Sequence, residues 1–196
     1  EQMDRVTGDL QNIVMKVRMV PVSAVFNRFP RMVRDVSKEL GKEINLTIEG
    51  EETELDRTVI DEIGDPIMHL LRNSLDHGVE SPDAREAKGK PRVGEVGLIA
   101  RHEGNNVVIM ITDDGAGIDA SKIRRKAVEK GMITQDEADR LDDADAVRLI
   151  FLPGFSTAEQ ITDISGRGVG MDVVRSKIEA LSGHVDVETH IDEGSI

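Results

Sequence analysis

The sequence predicts an α+β fold, strands and helices in one domain, with a helical segment ahead of it. Three observations lead there. Glu43–Glu49 alternates, with Ile44, Leu46 and Ile48 on one face, which is the period of a half-buried strand. Val93–Arg101 and Asn106–Thr112 read as two more strands joined through Glu103-Gly104-Asn105, a hairpin. Between and around them lie runs with helical spacing, above all DPIMHLLRNSLDHGVE over Asp65–Glu80.

In chain order, residues 1–20 read as a helix, with Val6, Leu10, Ile13, Val14, Val17 and Val20 at helical spacing. A lone helix of this length is marginal in water, so the stripe needs a partner. Either it folds back on its own domain or it is one arm of a dimerisation bundle. Pro21 kinks or ends it. A second helix follows Pro30, RMVRDVSKEL, with Gly41 as its C-cap.

After the first strand, Asp56 caps a helix carrying Val59, Ile60 and Ile63, and Gly64-Asp65-Pro66 marks a kink or a restart. In the stretch to Gly78, Ile67, Leu70, Leu71, Ser74 and Leu75 share a core-facing side, while His69, Asn73, Asp76 and His77 stack on the other. Imidazole, amide and carboxylate groups can hold a hydrated Mg²⁺, donate to phosphate oxygens and move a proton, although an ordinary solvated helix face has the same composition. Ser81–Arg92 is polar and reads as an exposed loop. Two or three short helices occupy Asp119–Ile150, Phe151–Thr157 is a loop with buried aromatics, Asp172–Ser182 is a helix, and His184–Thr189 alternates as a strand.

Composition narrows the function. The net charge is −13, which argues against a nucleic-acid or anionic-membrane surface. There is no cysteine, so disulfides, thiolate zinc sites and thiol catalysis are excluded. With no Trp or Tyr and four Phe, the core must be built from Val, Ile, Leu and Met. No apolar run is long enough to cross a bilayer and residues 1–20 carry charges throughout, so a cytoplasmic protein is expected. The acidic segment Asp136–Asp145 lacks the pattern of a calcium loop and reads as a solvated face.

Two glycine motifs carry chemistry. Asp113-Asp114-Gly115-Ala116-Gly117 follows a strand directly; a carboxylate there, with glycines beside it, can accept from an exocyclic amine such as adenine N6, or be a plain turn. Ser165-Gly166-Arg167-Gly168-Val169-Gly170-Met171 leads into a helix, so its N–H groups can turn toward phosphates, or it can be a hinge. It is not the dinucleotide fingerprint, and no P-loop pattern occurs anywhere.

Taken in order, His69-x-x-x-Asn73, Asp113-x-Gly-x-Gly, FLPGFST and Gly166-x-Gly-x-Gly resemble the N box, first glycine box, F box and second glycine box of the histidine-kinase-type ATPases. That superfamily, with gyrase B, Hsp90 and MutL, has the Bergerat fold, so the resemblance implies a two-layer α/β sandwich with a mixed sheet covered on one face by helices. The wording HLLRNSLDHGVE, DDGAGID, FLPGFST and SGRGVGMDVV is similar to the chemotaxis histidine kinases within it. The likeness covers residues 33–196, and the first 30 resemble the end of that family's dimerisation helices.

The resemblance implies ATP and Mg²⁺ as ligands. Asn73 would coordinate Mg²⁺, Asp76 and His77 would contact phosphate, metal or their waters, and Asp113 would hold adenine N6 with Gly115 and Gly117 giving close approach. Gly166, Gly168 and Gly170 would form the phosphate lid, with Lys122 and Ser156 as further phosphate or lid contacts. His69 stands where most kinases of the superfamily have Glu or Asp; it would polarise the acceptor imidazole or stabilise the phosphoryl group, or be structural. No histidine precedes His69, and His77, His102, His184 and His190 are the only others. The phosphoacceptor histidine is therefore expected on a separate domain. By the same resemblance the whole protein is a homodimer through its N-terminal helices, working with a receptor and coupling-protein array and response regulators. Two alternatives are a nucleotide-responsive interaction module without turnover and a hydrolytic ATPase, the latter disfavoured because His69 replaces the Glu that activates water. The third glycine box is expected to break off at Glu193-Gly194-Ser195-Ile196, leaving a sheet position unpaired beside the base.

Overall fold

A computed structural model describes residues 2–155 and 170–196. Its main sheet has five strands in the order β2-β4-β5-β7-β6: β2 Ile44–Glu49, β4 Gly94–Glu103, β5 Asn106–Asp113, β6 Thr189–His190 and β7 Gly194–Ser195. β2 and β4 run parallel, in the register Leu46↔Val96 and Ile48↔Leu98. β4 and β5 form the expected antiparallel hairpin, from Glu103↔Asn106 to Val96↔Asp113. The sheet is mixed, as expected, and the fold is α+β.

One face of the sheet is covered by α3, Phe29–Glu39, and α4, Arg57–Asn73. Alternation on β4 sends Val96, Leu98 and Ala100 into the core, where they meet Ile60, Ile67, Leu71 and Leu75 from α4 and the turn after it. Val22, Val25, Phe26 and Phe29 lie in the same cluster, Val25 and Phe26 on the short helix α2, Ser23–Phe26, which periodicity did not reveal. Phe26 and Phe29 pack with tilted rings at 6.2 Å. Most of the core is aliphatic, as the composition required.

The first helix, α1, spans Gln2–Arg18 and stops short of the expected Val20. Met19–Pro21 forms instead a three-residue strand, β1, antiparallel to β3, Glu54–Asp56. Val22 N–H then donates to the Thr53 carbonyl at 2.8 Å, continuing the attachment. Val6, Leu10, Ile13, Val14 and Val17 on α1 are each more than half exposed. No helix among the described residues is long and apolar enough to cross a membrane.

Asp56 caps α4 as expected, its carboxylate accepting from Thr58 N–H at 2.8 Å. Gly64-Asp65-Pro66 causes no restart: α4 is continuous through the buried Pro66. Burial of Ile60 before it and Ile67 and Leu71 after it in one core outweighs the roughly 3 kcal/mol that an interior proline costs. At Gly64 a Cβ would collide with the Arg28 guanidinium, which also lies 5.3 Å from the Phe29 ring centroid. Beyond Asn73 the chain widens into a π-turn over Ser74–Gly78, with Val79 N–H bonded to the Ser74 carbonyl at 2.8 Å.

The polar stretch 81–92 is not the exposed loop expected. It contains α5, Pro82–Ala87, capped by Ser81, and its Arg85 side chain is fully buried. The span 119–150 forms three helices, α6 Ala120–Glu129, α7 Gln135–Arg140 and α8 Asp143–Arg148, and Phe151 and Phe155 are buried as read. The last helix, α9, is Met171–Ala180. The strand expected over 184–189 shrinks to Thr189–His190: among the described residues the ladder covers only its end, where Thr189 and His190 pair with β7 and Glu188 exchanges backbone bonds with Ile196. β7 in turn joins β5 at a single pair, Asp113↔Ser195. Among the described residues, no strand pairs with Asn106–Thr112 on that side.

Candidate functional site

The π-turn decides how the polar end of α4 is presented. Widening the helix by one residue leaves carbonyls without the usual N–H partners, and two of them are taken by a lysine: Lys42 Nζ donates to the carbonyls of Leu75 at 2.7 Å and Asp76 at 2.6 Å. Burial pushes the Lys42 ammonium below its ordinary range, while the charges of Asp76 and Glu80 pull it back up. The side chains of Asp76 and His77 stay about half and two-thirds exposed, 3.6 Å apart. Higher on α4, His69 is half-buried; burial first, then the neighbouring Arg72, hold its pKa below the usual imidazole value.

The DDGAG turn is wedged against Gly78. A Cβ on Gly115 would stand 2.0 Å from the Gly78 carbonyl oxygen, and one on Gly78 would stand 2.9 Å from Asp113 Oδ2. Ala116 N–H donates to the Gly78 carbonyl at 2.9 Å, fixing this approach. Gly117 has φ +71, and a Cβ there would meet the His190 carbonyl oxygen at 2.2 Å, so it also carries the contact to the β6–β7 hairpin. Ile118 N–H donates to Thr189 Oγ1 at 2.8 Å on the same side.

Asp113 ends β5 beneath this turn. Its Oδ1 accepts from Gly115 N–H at 3.0 Å. Burial raises its pKa above the ordinary carboxylate value; hydrogen bonds from Gly115 and Ser74 oppose the shift and the charge of Asp114 adds to it. Ser74 directly follows Asn73, so the residue that bonds Asp113 is next in sequence to the amide.

Asn73 reaches the other side. Its Nδ2 donates to the Met171 sulfur at 3.3 Å. A thioether only accepts, so this contact turns the amide oxygen away from Met171 and leaves it available to a cation. Met171 is the first residue of α9, whose N-cap, Gly170, is extended (φ −90, ψ 175) and provides no side-chain cap. The first N–H groups of α9 are thus held beside Asn73, a terminus suited to phosphate. Lys177 on α9 lies 3.5 Å from Asp65 on α4, a second tie between the two helices.

The structure therefore ties Asp113 and Gly115 to Ser74 and Gly78 at the end of α4, sets Gly117 against His190, and links Asn73 to α9 through Met171, the residue after Gly170. His69, Asp76 and His77 lie on the same helix and its π-turn. Lys122 stands apart on α6: its side chain is 74% exposed and its recorded ionic contact is Asp119 at 3.8 Å. Ser156, Gly166 and Gly168 lie outside the described residues.

Sequence reasoning missed the support beneath the turn. Arg85 donates to Asp114 Oδ2 at 2.7 Å, to Glu80 Oε2 at 3.2 Å and to the Pro91 carbonyl at 2.7 Å. Lys90 Nζ donates to the carbonyls of Asp114 at 2.9 Å and Gly115 at 2.7 Å. Burial pushes the Glu80 carboxyl up, but its own N–H and the Lys90 ammonium outweigh this and hold its pKa down. The available signal was charge order: Glu80, Arg85, Lys88 and Lys90 within one polar stretch, with a carboxylate pair at Asp113-Asp114 to receive them.

The donor set fits the ligands expected of it. Among the described residues no three His, Asp or Glu side chains converge on one point. A single amide oxygen beside a helix terminus whose N-cap is a glycine suits Mg²⁺, which keeps waters and substrate phosphates as most of its shell. A half-buried carboxylate with one oxygen engaged by a backbone N–H suits an amine of a purine.

Comparison with known proteins agrees. Residues 62–196 match the family described as histidine kinase-, DNA gyrase B-, and HSP90-like ATPase. The chain is 59% identical over all its length to the chemotaxis protein CheA of Bacillus subtilis, covering 29% of it. It is 54% identical to the sensor histidine kinase CheAY of Helicobacter pylori, with 97% of this chain aligned to 24% of that protein. The CheA of Halobacterium salinarum is 48% identical over the full chain, 29% of that protein. The chain thus spans less than a third of each of these relatives. Among solved structures, the histidine kinase domain of the Erythrobacter litoralis EL346 blue-light activated histidine kinase shares the fold, with TM-score 0.50 at 16% identity over 90% of this chain and 58% of that one. This chain belongs to the histidine kinase-, DNA gyrase B- and HSP90-like ATPase family.

Proposed function

We propose that this chain is the catalytic module of a chemotaxis histidine kinase, binding Mg-ATP and passing its γ-phosphoryl group to a histidine on a separate domain. The observation that carries this is the Asn73–Met171 contact, which holds the glycine-led start of α9 against the polar face of α4, one residue from the Ser74 that bonds Asp113. Metal-type amide, phosphate-type terminus and amine-type carboxylate then face one ligand. The identities to chemotaxis protein CheA support the same reading.

In this reading Asp113 accepts from the adenine amine, the amide oxygen of Asn73 holds Mg²⁺, and Asp76 and His77 reach phosphate, metal or their waters from the π-turn. Gly170, with Gly166 and Gly168, supplies lid amides, and Lys122 and Ser156 add contacts. Mg²⁺, when bound, neutralises charge on the phosphates. Transfer breaks the bond from the γ-phosphorus to the β–γ bridging oxygen and forms a phosphorus–nitrogen bond on the acceptor imidazole, with ADP leaving. His69, held neutral by burial, polarises that imidazole by accepting its remaining N–H proton or a hydrogen bond from it. The rest is positioning and charge, since phosphoryl transfer asks little covalent help of the protein.

The exposed stripe Val6, Leu10, Ile13, Val14 and Val17 supports pairing of two copies through α1, which would let one copy serve the other's acceptor. In this reading residues 1–32 are the helical segment and 33–196 the catalytic domain, in a cytoplasmic assembly with receptors, coupling protein and response regulators. The test is to supply Mg-ATP and a separately produced acceptor domain and look for phosphohistidine. Transfer that disappears in Asn73→Ala supports the proposal; nucleotide binding without any transfer leaves a signalling module in its place.

A further inference from the structure

We propose that Arg85 and Lys90 are positioning residues for base recognition, acting on Asp113 through the single peptide group between Asp114 and Gly115. The inference rests on the reading that Asp113 accepts from the adenine amine, and deepens it. Lys90 Nζ donates to the oxygen of that peptide at 2.9 Å and Arg85 Nη1 donates to the same oxygen at 3.3 Å. The N–H of the same peptide donates to Asp113 Oδ1 at 3.0 Å. Two cations thus pull on one end of a rigid amide plane whose other end grips the carboxylate.

The amide plane does two things. Cations on its oxygen polarise it and strengthen donation from its N–H, the cooperative effect of linked hydrogen bonds in a low-dielectric setting. They also fix its rotation, and with it the orientation of the Asp113 carboxylate whose Oδ1 the Gly115 N–H holds. The device is braced from below. Both Asp114 carboxylate oxygens are taken by Arg85, at 3.1 and 2.7 Å, and Oδ1 also accepts from Glu95 N–H at 2.9 Å. Asp114 is therefore turned away from the site, and Asp113 alone reads the base.

A buried Arg with its fork fully used contributes rigidity more than net stability, because desolvating the charges offsets much of the attraction. A purely structural part would weaken every nucleotide alike. A part that aims one carboxylate oxygen at an amine affects the choice of base.

The experiment measures affinity for ATP and for ITP, which carries a carbonyl where adenine has its amine, on the whole chain in Mg²⁺. Circular dichroism and thermal melting run alongside. Arg85→Lys keeps the charge but loses the fork; Lys90→Met removes the second cation, and Lys90→Arg is the rescue. The expected result is a fall of about tenfold in the ATP-over-ITP preference for Arg85→Lys and a smaller fall for Lys90→Met, with ITP affinity within about twofold and recovery in Lys90→Arg. Equal weakening of both nucleotides, or an unchanged preference in the folded variants, overturns the proposal. Asp113→Asn separates the two layers: if it abolishes the preference and the clamp variants do not, only the clamp fails. If Asp113→Asn leaves the preference unchanged, the base reading itself fails.

Discussion

Gly78, at the end of the π-turn, stands so close to Asp113 that a Cβ on it would lie 2.9 Å from Oδ2 and 3.1 Å from Cγ. Gly78→Ala must push the carboxylate aside or shift the turn. We expect ATP affinity to fall by about tenfold, or about 1.4 kcal/mol, measured by titration with a fluorescent nucleotide. Gly8→Ala is the contrast: a Cβ there meets nothing within 4 Å, so in the helix it should raise stability by up to about 1 kcal/mol and leave binding unchanged.

In the proposed reading, Asp113 trades stability for recognition. Burial raises its folded pKa above the ordinary carboxylate value, so the unfolded chain binds fewer protons than the folded one between the two values. Stability from this group is fully present below the ordinary carboxylate range and is lost as pH rises through the raised value. Asp113→Asn should therefore melt higher than the parent at neutral pH, with the gap closing in acid, while losing nucleotide affinity. Melting curves across the acid range check the first part and titration the second.

His69 behaves in the opposite sense. Burial and Arg72 lower its folded pKa below 6.5, so the unfolded chain takes up the proton first and stability falls as pH drops through the window below 6.5. His69→Gln should flatten that acid loss, retain ATP affinity, and reduce phosphoryl transfer by about a hundredfold. A transfer rate equal to the parent's would make His69 a structural residue.

Lys42→Met tests the π-turn. It strips hydrogen bonds from the carbonyls of Leu75 and Asp76, and leaving such groups unmet costs about 1–3 kcal/mol. Because Asp76 and His77 ride on that turn, the Mg²⁺ concentration needed for tight nucleotide binding should rise with the loss of stability. Denaturant unfolding and a Mg²⁺ titration read the two effects.

Periodicity made the larger elements legible. The β4–β5 hairpin, β2 and the buried side of α4 each bury one face, and a buried face writes a period of two or of helical spacing into the chain. The polar side of α4 and the DDGAG turn were legible for another reason: their chemistry is carried by residue type at fixed spacing. What escaped was held by distant partners. Arg85 reads as solvent-facing because nothing within its own stretch shows that Asp114 will neutralise it. β1 and β3 have three residues each, too few for alternation to register, and the strand read over 184–189 has a partner only at its end. Pro66 looked like a break because local propensity, not the core on both sides of it, was all the chain displayed there.

The most direct test of the account is a titration of the chain with a fluorescent adenine nucleotide, in Mg²⁺ and again after chelation, alongside Asn73→Ala and Asp113→Asn. The account predicts saturable binding that weakens on chelation in the parent, loses its Mg²⁺ dependence in Asn73→Ala, and is abolished in Asp113→Asn. Binding that is unchanged by chelation and equal in all three proteins would contradict it.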